Sequence, residues 1–105
     1  MDKSSTILSN IPIPLEEIAE FSRRNRIRRL ALFGSALRDD FRPDSDLDIL
    51  VEFEPDTRVG LRFFALQREL SELIGREVDL NTPGFLSPYF RDEVLAEAED
   101  LYVAP

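Results

Sequence analysis

The residues best placed by type and spacing to do chemistry are Gly34, Ser35, Asp46, Asp48 and Asp79. Gly34-Ser35 closes the run RIRRLALF, ten residues follow, and Asp46-Leu47-Asp48 opens the run DLDILVEF. Along a strand successive side chains point to opposite faces. Leu47, Ile49, Val51 and Phe53 therefore make a core face, and Asp46 and Asp48 share the other. A rise of ~3.3 Å per residue sets those two carboxylates about 7 Å apart. From there they can lean onto one shared cation; without one, their repulsion raises at least one pKa. Ligation by a few carboxylate oxygens, completed by water and phosphate, is the pattern Mg²⁺ favours. The same parity holds in REVDLNT, where Val78 and Leu80 face the core and Asp79 projects to the face of the other two. Gly34-Ser35 supplies the complement. A strand that ends in Gly-Ser and leads into a helix aims backbone N–H groups and a hydroxyl at the space beyond it, where a phosphate can come close. A phosphate cradle beside a metal-binding carboxylate pair is what phosphoryl or nucleotidyl transfer requires.

Each feature alone is ordinary: Gly-Ser is commonly a turn, and Asp-x-Asp at a strand start is commonly turn or edge chemistry. Their joint spacing carries the reading. A calcium loop is the obvious rival, since Asp44, Asp46 and Asp48 alternate. An EF-hand then needs glycine at the next position and glutamate six further on, where this chain has Ile49 and Pro55.

The surrounding pattern predicts the elements that position these residues. Leu15, Ile18, Ala19 and Phe21 recur at helical spacing from Pro14 to about Asn25, and Pro14 suits a first helical turn. RIRRLALF reads as a strand ending at Gly34, and Ser35 to about Asp39 as a short helical turn. Asp46 to Phe53 is a strand closed by Pro55-Asp56. GLRFFALQRELSELIG places Phe63, Leu66, Leu70 and Leu73 on one helical face, with Gly75 as its C-terminal cap. REVDLNT is a third strand and TPGF a turn. A last helix is expected from Pro88 to about Glu99, with Ser87 as N-cap and Phe90, Val94 and Ala98 on one face; LYV then adds a short strand. Residues 1–13 read as a flexible or loosely docked arm, and residues 14–105 as a single domain. The order implies an α/β (α+β) domain with a small mixed sheet and helices mainly on one face.

Composition narrows the chemistry. The chain has 105 residues, one domain's worth. It contains no cysteine and no histidine, which excludes disulfides, thiolate and imidazole catalysis and any cysteine or histidine metal site. What remains is carboxylates, hydroxyls, backbone amides, arginines and a hard cation. A net charge of −8 argues against a general nucleic-acid binder, which needs a basic footprint. No apolar run approaches the roughly 18 residues of a membrane span, and MDKSSTILSNIPIP is no signal peptide, so a cytoplasmic protein is expected.

The string GSALRDDFRPDSDLDILVEF resembles the signature of the DNA polymerase β-like nucleotidyltransferase superfamily, and its minimal nucleotidyltransferase (MNT) branch in particular. The similarity runs on through VDLNTPGFLSPYFRDEVLAEAEDLY and so covers roughly residues 15 to 103. The resemblance implies a nucleotidyltransferase core with ATP as substrate and Mg²⁺ as cofactor. Gly34 and Ser35 would hold nucleotide phosphates, and Asp46 and Asp48 would bind the Mg²⁺ ions that bridge the triphosphate. Asp79 would complete the acidic triad at the metal and help deprotonate the attacking hydroxyl. Arg38 matches an arginine common in the branch and would contact phosphate, or else pair on the surface with Asp40 or Asp44. The branch usually has glycine next; here Asp39 stands, which tolerates left-handed backbone but adds negative charge beside the expected triphosphate.

Larger members of the superfamily hold their acceptor with further domains, so a chain this short implies an acceptor delivered by another molecule. MNT proteins are typically encoded beside a HEPN-domain ribonuclease toxin and act as its antitoxin, moving AMP from ATP to a tyrosine hydroxyl of the toxin. The implied partner is thus a HEPN toxin in a hetero-oligomer of the prokaryotic cytoplasm, with no direct nucleic-acid or membrane contact. An AMP phosphate near a ribonuclease site obstructs RNA phosphate by bulk and by charge. FLSPYF (Phe85, Leu86, Tyr89, Phe90) is either a docking surface or a seal on the domain's own core. Two other functions fit the same residues. One is a non-catalytic antitoxin that neutralises by binding; the other is nucleotidyl transfer to a small molecule such as an aminoglycoside.

Overall fold

The computed structural model describes residues 5–8, 11–34, 46–89 and 91–105. Helix α1 (Leu15–Arg24) forms where the helical spacing predicts it, and Ile18 and Phe21 are fully buried. Ser22, buried beside them, donates its hydroxyl to the Ile18 carbonyl at 2.8 Å, which satisfies it inside the core. Glu16 and Glu17 in the first turn and Arg23 and Arg24 in the last complement the helix dipole.

Four strands make the central sheet: β3 (Ile27–Leu32), β4 (Leu47–Phe53), β5 (Val78–Asn81) and β6 (Glu99–Val103), in the order β5-β4-β3-β6. β3 pairs antiparallel with β4 and with β6, while β4 and β5 run parallel. Parallel neighbours need a crossover, and α2 (Arg62–Ile74) provides it. Gly75, at φ +83°, caps that helix in the left-handed conformation. Leu30, Leu32, Leu47, Ile49, Val51, Val78 and Leu80 meet Ile18 and Phe21 of α1 and Leu66 and Leu70 of α2 in one buried cluster. The expected mixed sheet forms, with α1 and α2 packed on one face.

Two segments differ from the sequence reading. Where an arm was expected over residues 1–13, strands β1 (Ser5–Leu8) and β2 (Ile11–Pro14) pair as an antiparallel hairpin, and Ile13 is fully buried in the main cluster. Pro12 and Pro14 hide the strand pattern; proline cannot donate to a ladder and is tolerated only where a strand lacks a second neighbour. The last helix, expected from Pro88 to about Glu99, is the shorter α3 (Arg91–Glu97). Its expected N-cap instead makes a local turn, with the Ser87 hydroxyl accepting the Tyr89 N–H at 3.3 Å. Glu99 and Asp100 join β6 opposite Leu32 and Ala31, so the ladder claims them.

The other face of the sheet is partly covered. Ala31 and Leu50 lie opposite each other across β3 and β4 and are completely buried. Beyond them, Arg29 donates to Asp100 at 2.6 Å and lies 3.4 Å from Glu52. On this face Glu52 is engaged by Arg29, whereas Asp48 lies at the other end of β4, with Asp46 just before the strand. Among the described residues, no helix is long and apolar enough to cross a membrane.

Candidate active site

Asp48 is the fixed point of the site. It lies in β4, between Leu47 and Ile49 whose burial fixes the strand's facing, and its side chain is half-buried on the opposite face. The Phe33 N–H donates to the Asp48 carbonyl at 3.1 Å, one residue beyond the end of β3. That bond lays Gly34 against the Asp48 side chain. A Cβ at residue 34 would stand 2.6 Å from Asp48 Oδ2, and the backbone there has φ +70°. Glycine is required on both counts, since any side chain would strain the backbone and displace the carboxylate.

Asp79 is the register partner of Asp48 across the parallel β4–β5 pair. Adjacent strands lie about 4.8 Å apart, so the two residues are neighbours on one face. Val78 and Leu80, on either side, are buried, and Asp79 is exposed as parity predicts. Asp46 is exposed immediately before β4. Burial pushes the Asp48 carboxyl above its ordinary pKa, and the negative charges of Asp79 and then Asp46 push it further. Asp48 therefore feels both neighbours, although among the described residues no three acidic groups already close into a metal cluster. A donor set of carboxylate oxygens alone fits a hard divalent cation such as Mg²⁺. It does not fit the metals that seek thiolate or imidazole.

The structure thus brings Gly34, Asp48 and Asp79 together, with Asp46 beside them. Ser35 and Arg38, together with Asp39, Asp40 and Asp44, lie outside the described residues. In FLSPYF the reading splits: Leu86 is buried, Tyr89 is 98% exposed, and Phe90 falls outside the description.

Sequence reasoning overlooked two polar side chains on α2. The Ser71 hydroxyl accepts the Val78 N–H at 3.0 Å, and Gln67 Oε1 accepts the Leu80 N–H at 2.9 Å. Their signal was present in the sequence: two polar residues, each one position after a buried leucine (Leu66, Leu70), border the helix's apolar stripe. A cleft of about 640 Å³ lies along this side of β5, lined in part by Gln67, Ser71 and Val78 and by none of the three aspartates.

The chain resembles known proteins in sequence and in fold. The family described as Nucleotidyltransferase domain matches residues 15–101. Protein adenylyltransferase MntA of Thermococcus cleftensis is 37% identical over 78 residues, covering 74% of this chain and 78% of its own. A solved structure provisionally described as a minimal nucleotidyltransferase superposes with a TM-score of 0.67 at 37% identity, over 80% of this chain and 85% of its own. At 24% identity and a TM-score of 0.60, the fold also matches a chain of a complex between a tri-AMPylated Shewanella oneidensis HEPN toxin and its MNT antitoxin. That match covers 86% of this chain and 70% of the other. With the domain recognised over most of its length, the chain belongs to the nucleotidyltransferase domain family, within its minimal nucleotidyltransferase branch.

Proposed function

We propose that the protein is an antitoxin that transfers AMP from ATP to a tyrosine hydroxyl of a HEPN-domain toxin. The observation that carries this reading is the Gly34–Asp48–Asp79 juxtaposition: a left-handed glycine pressed on one carboxylate, with a second carboxylate in register beside it. The adenylyltransferase relative supports ATP as donor, and the shared fold with an antitoxin bound to an AMPylated HEPN toxin supports the acceptor.

In this reading Gly34 and Ser35 present backbone amides and a hydroxyl to the nucleotide phosphates, and Arg38 adds a cationic contact. Asp46, Asp48 and Asp79 would hold Mg²⁺, which when bound would neutralise triphosphate charge and polarise the phosphorus. The tyrosine Oη attacks the α-phosphorus. Its bond to phosphorus forms as the bond from that phosphorus to the β-phosphate oxygen breaks, and pyrophosphate leaves. An Asp79 carboxylate oxygen, exposed at the open side of the sheet, takes up the hydroxyl proton. The chain acts as a single catalytic domain, with the β1–β2 hairpin packed on it, in the prokaryotic cytoplasm, and contact with RNA is left to the toxin.

The test is the intact mass of the toxin encoded by the neighbouring gene, after incubation with this protein, ATP and Mg²⁺. The toxin should gain one or more AMP groups, and Asp46→Asn or Asp48→Asn should abolish the gain. An unmodified toxin, with both proteins folded, sinks the reading. Protection of cells by Asp46→Asn without any gain in mass would assign neutralisation to binding alone.

A further inference from the structure

Strand β5 carries Asp79 yet lies at the edge of the sheet, and among the described strands it pairs with β4 alone. In a parallel pair every second backbone group of an edge strand faces away from its neighbour. At Val78 and Leu80 those outward N–H groups are taken by α2, through Ser71 Oγ at 3.0 Å and Gln67 Oε1 at 2.9 Å. The spacing matches: four residues of helix advance about 6.0 Å and two residues of strand about 6.6 Å. The Ser71 hydroxyl proton is itself committed to the Gln67 carbonyl at 2.9 Å, which leaves an oxygen lone pair for Val78. Helix α2 thus stands in for a missing strand along β5.

The β4–β5 ladder sets the register of β5 from one edge, whereas apolar burial of Val78 and Leu80 sets no direction and tolerates tilting and fraying of the outer edge. Hydrogen bonds are short and directional and do not. Asp79 sits between the two anchored amides, so its place beside Asp48 is held from both edges of the strand. We propose that Gln67 and Ser71 are positioning residues that hold the Asp79 carboxylate beside Asp48 through the backbone of β5. The role rests on the metal-dependent transfer proposed above, and it concerns how the carboxylates are placed, not which acceptor receives AMP.

The test uses the full chain, with Mg²⁺ titrated against the amide chemical shifts of Asp48 and Asp79, hydrogen exchange at Val78 and Leu80, and AMP transfer to the toxin. Gln67→Leu and Ser71→Ala should speed exchange at Leu80 and Val78 respectively, raise the Mg²⁺ midpoint several-fold and slow transfer about tenfold. Ser71→Thr, which keeps the hydroxyl, should restore wild-type behaviour. In an Asp79→Asn background Gln67→Leu should leave the Mg²⁺ midpoint where Asp79→Asn alone put it. Should Gln67→Leu fail to fold, the milder Ser71→Ala and Ser71→Thr pair still decides. A folded clamp variant with an unchanged Mg²⁺ midpoint overturns the proposal, as does an equal shift in the Asp79→Asn background. Shifted midpoints in a protein whose wild type transfers no AMP uphold the clamp and refute the proposed reaction instead.

Discussion

Asp48 and Asp79 are register partners on parallel strands, so two like charges stand side by side on one face of the sheet. Asp48 bears the cost, because it is half-buried as well as crowded. Its raised pKa means that the folded state holds the proton more tightly than the unfolded state does. Between the ordinary carboxylate value and the raised one, stability falls as pH rises, and it stays lower above that window. Asp48→Asn should remove the fall and give the ligand-free protein a higher Tm than wild type at neutral pH. The same change should cut transfer by at least about 100-fold. Thermal unfolding across the acidic to neutral range, set beside a transfer assay, checks both halves; an asparagine variant less stable than wild type at neutral pH contradicts the account.

A cation that relieves this crowding should stabilise the fold. Mg²⁺ is expected to raise the Tm of wild type at neutral pH and to have little effect once the carboxylates are protonated. Chelation should reverse the gain. Calorimetric scans with and without Mg²⁺ at the two pH extremes measure this directly, and a gain that persists equally in Asp48→Asn would place the ion elsewhere.

Two glycines with left-handed backbone should respond differently to alanine. At Gly34 the added methyl meets Asp48 Oδ2, whereas at Gly75 nothing lies within 4 Å. Both substitutions should lose about 1–2 kcal/mol to backbone strain. Only Gly34→Ala should also lower transfer, by about tenfold or more, because it must displace a carboxylate. Unfolding and transfer rates measured side by side separate the two.

Ile13 tests the hairpin. It is fully buried among core side chains, so Ile13→Ala should cost about 2–5 kcal/mol, as large-to-small core changes do. Chemical denaturation gives the figure. A loss below about 0.5 kcal/mol would mean that β2 contributes little to the core.

Strand parity made much of this site legible. Alternation in DLDILVEF and REVDLNT sent Asp48 and Asp79 to one face, and the burial of Leu47, Ile49, Val78 and Leu80 agrees. Their adjacency was not legible, because no local pattern says which strands pair or in what register. The hairpin was hidden by Pro12 and Pro14, which suppress strand signals although an isolated ribbon tolerates them. Glu99 read as helix because its neighbours favour one, and long-range pairing with Leu32 overrode that preference. Gln67 and Ser71 went unremarked, since their partners are backbone amides of a distant strand.

The parallel pairing of β4 and β5 also fixes when the site can exist. The chain must leave β4, traverse α2 and return before Asp79 can meet Asp48. Loop closure of that kind precedes its reward, so the acidic neighbours are late partners in folding. The contact of Gly34 with Asp48 needs only β3 and β4 and can form without them. A partly synthesised chain would therefore own half a site, and tight metal capture would mark a molecule whose crossover has already closed.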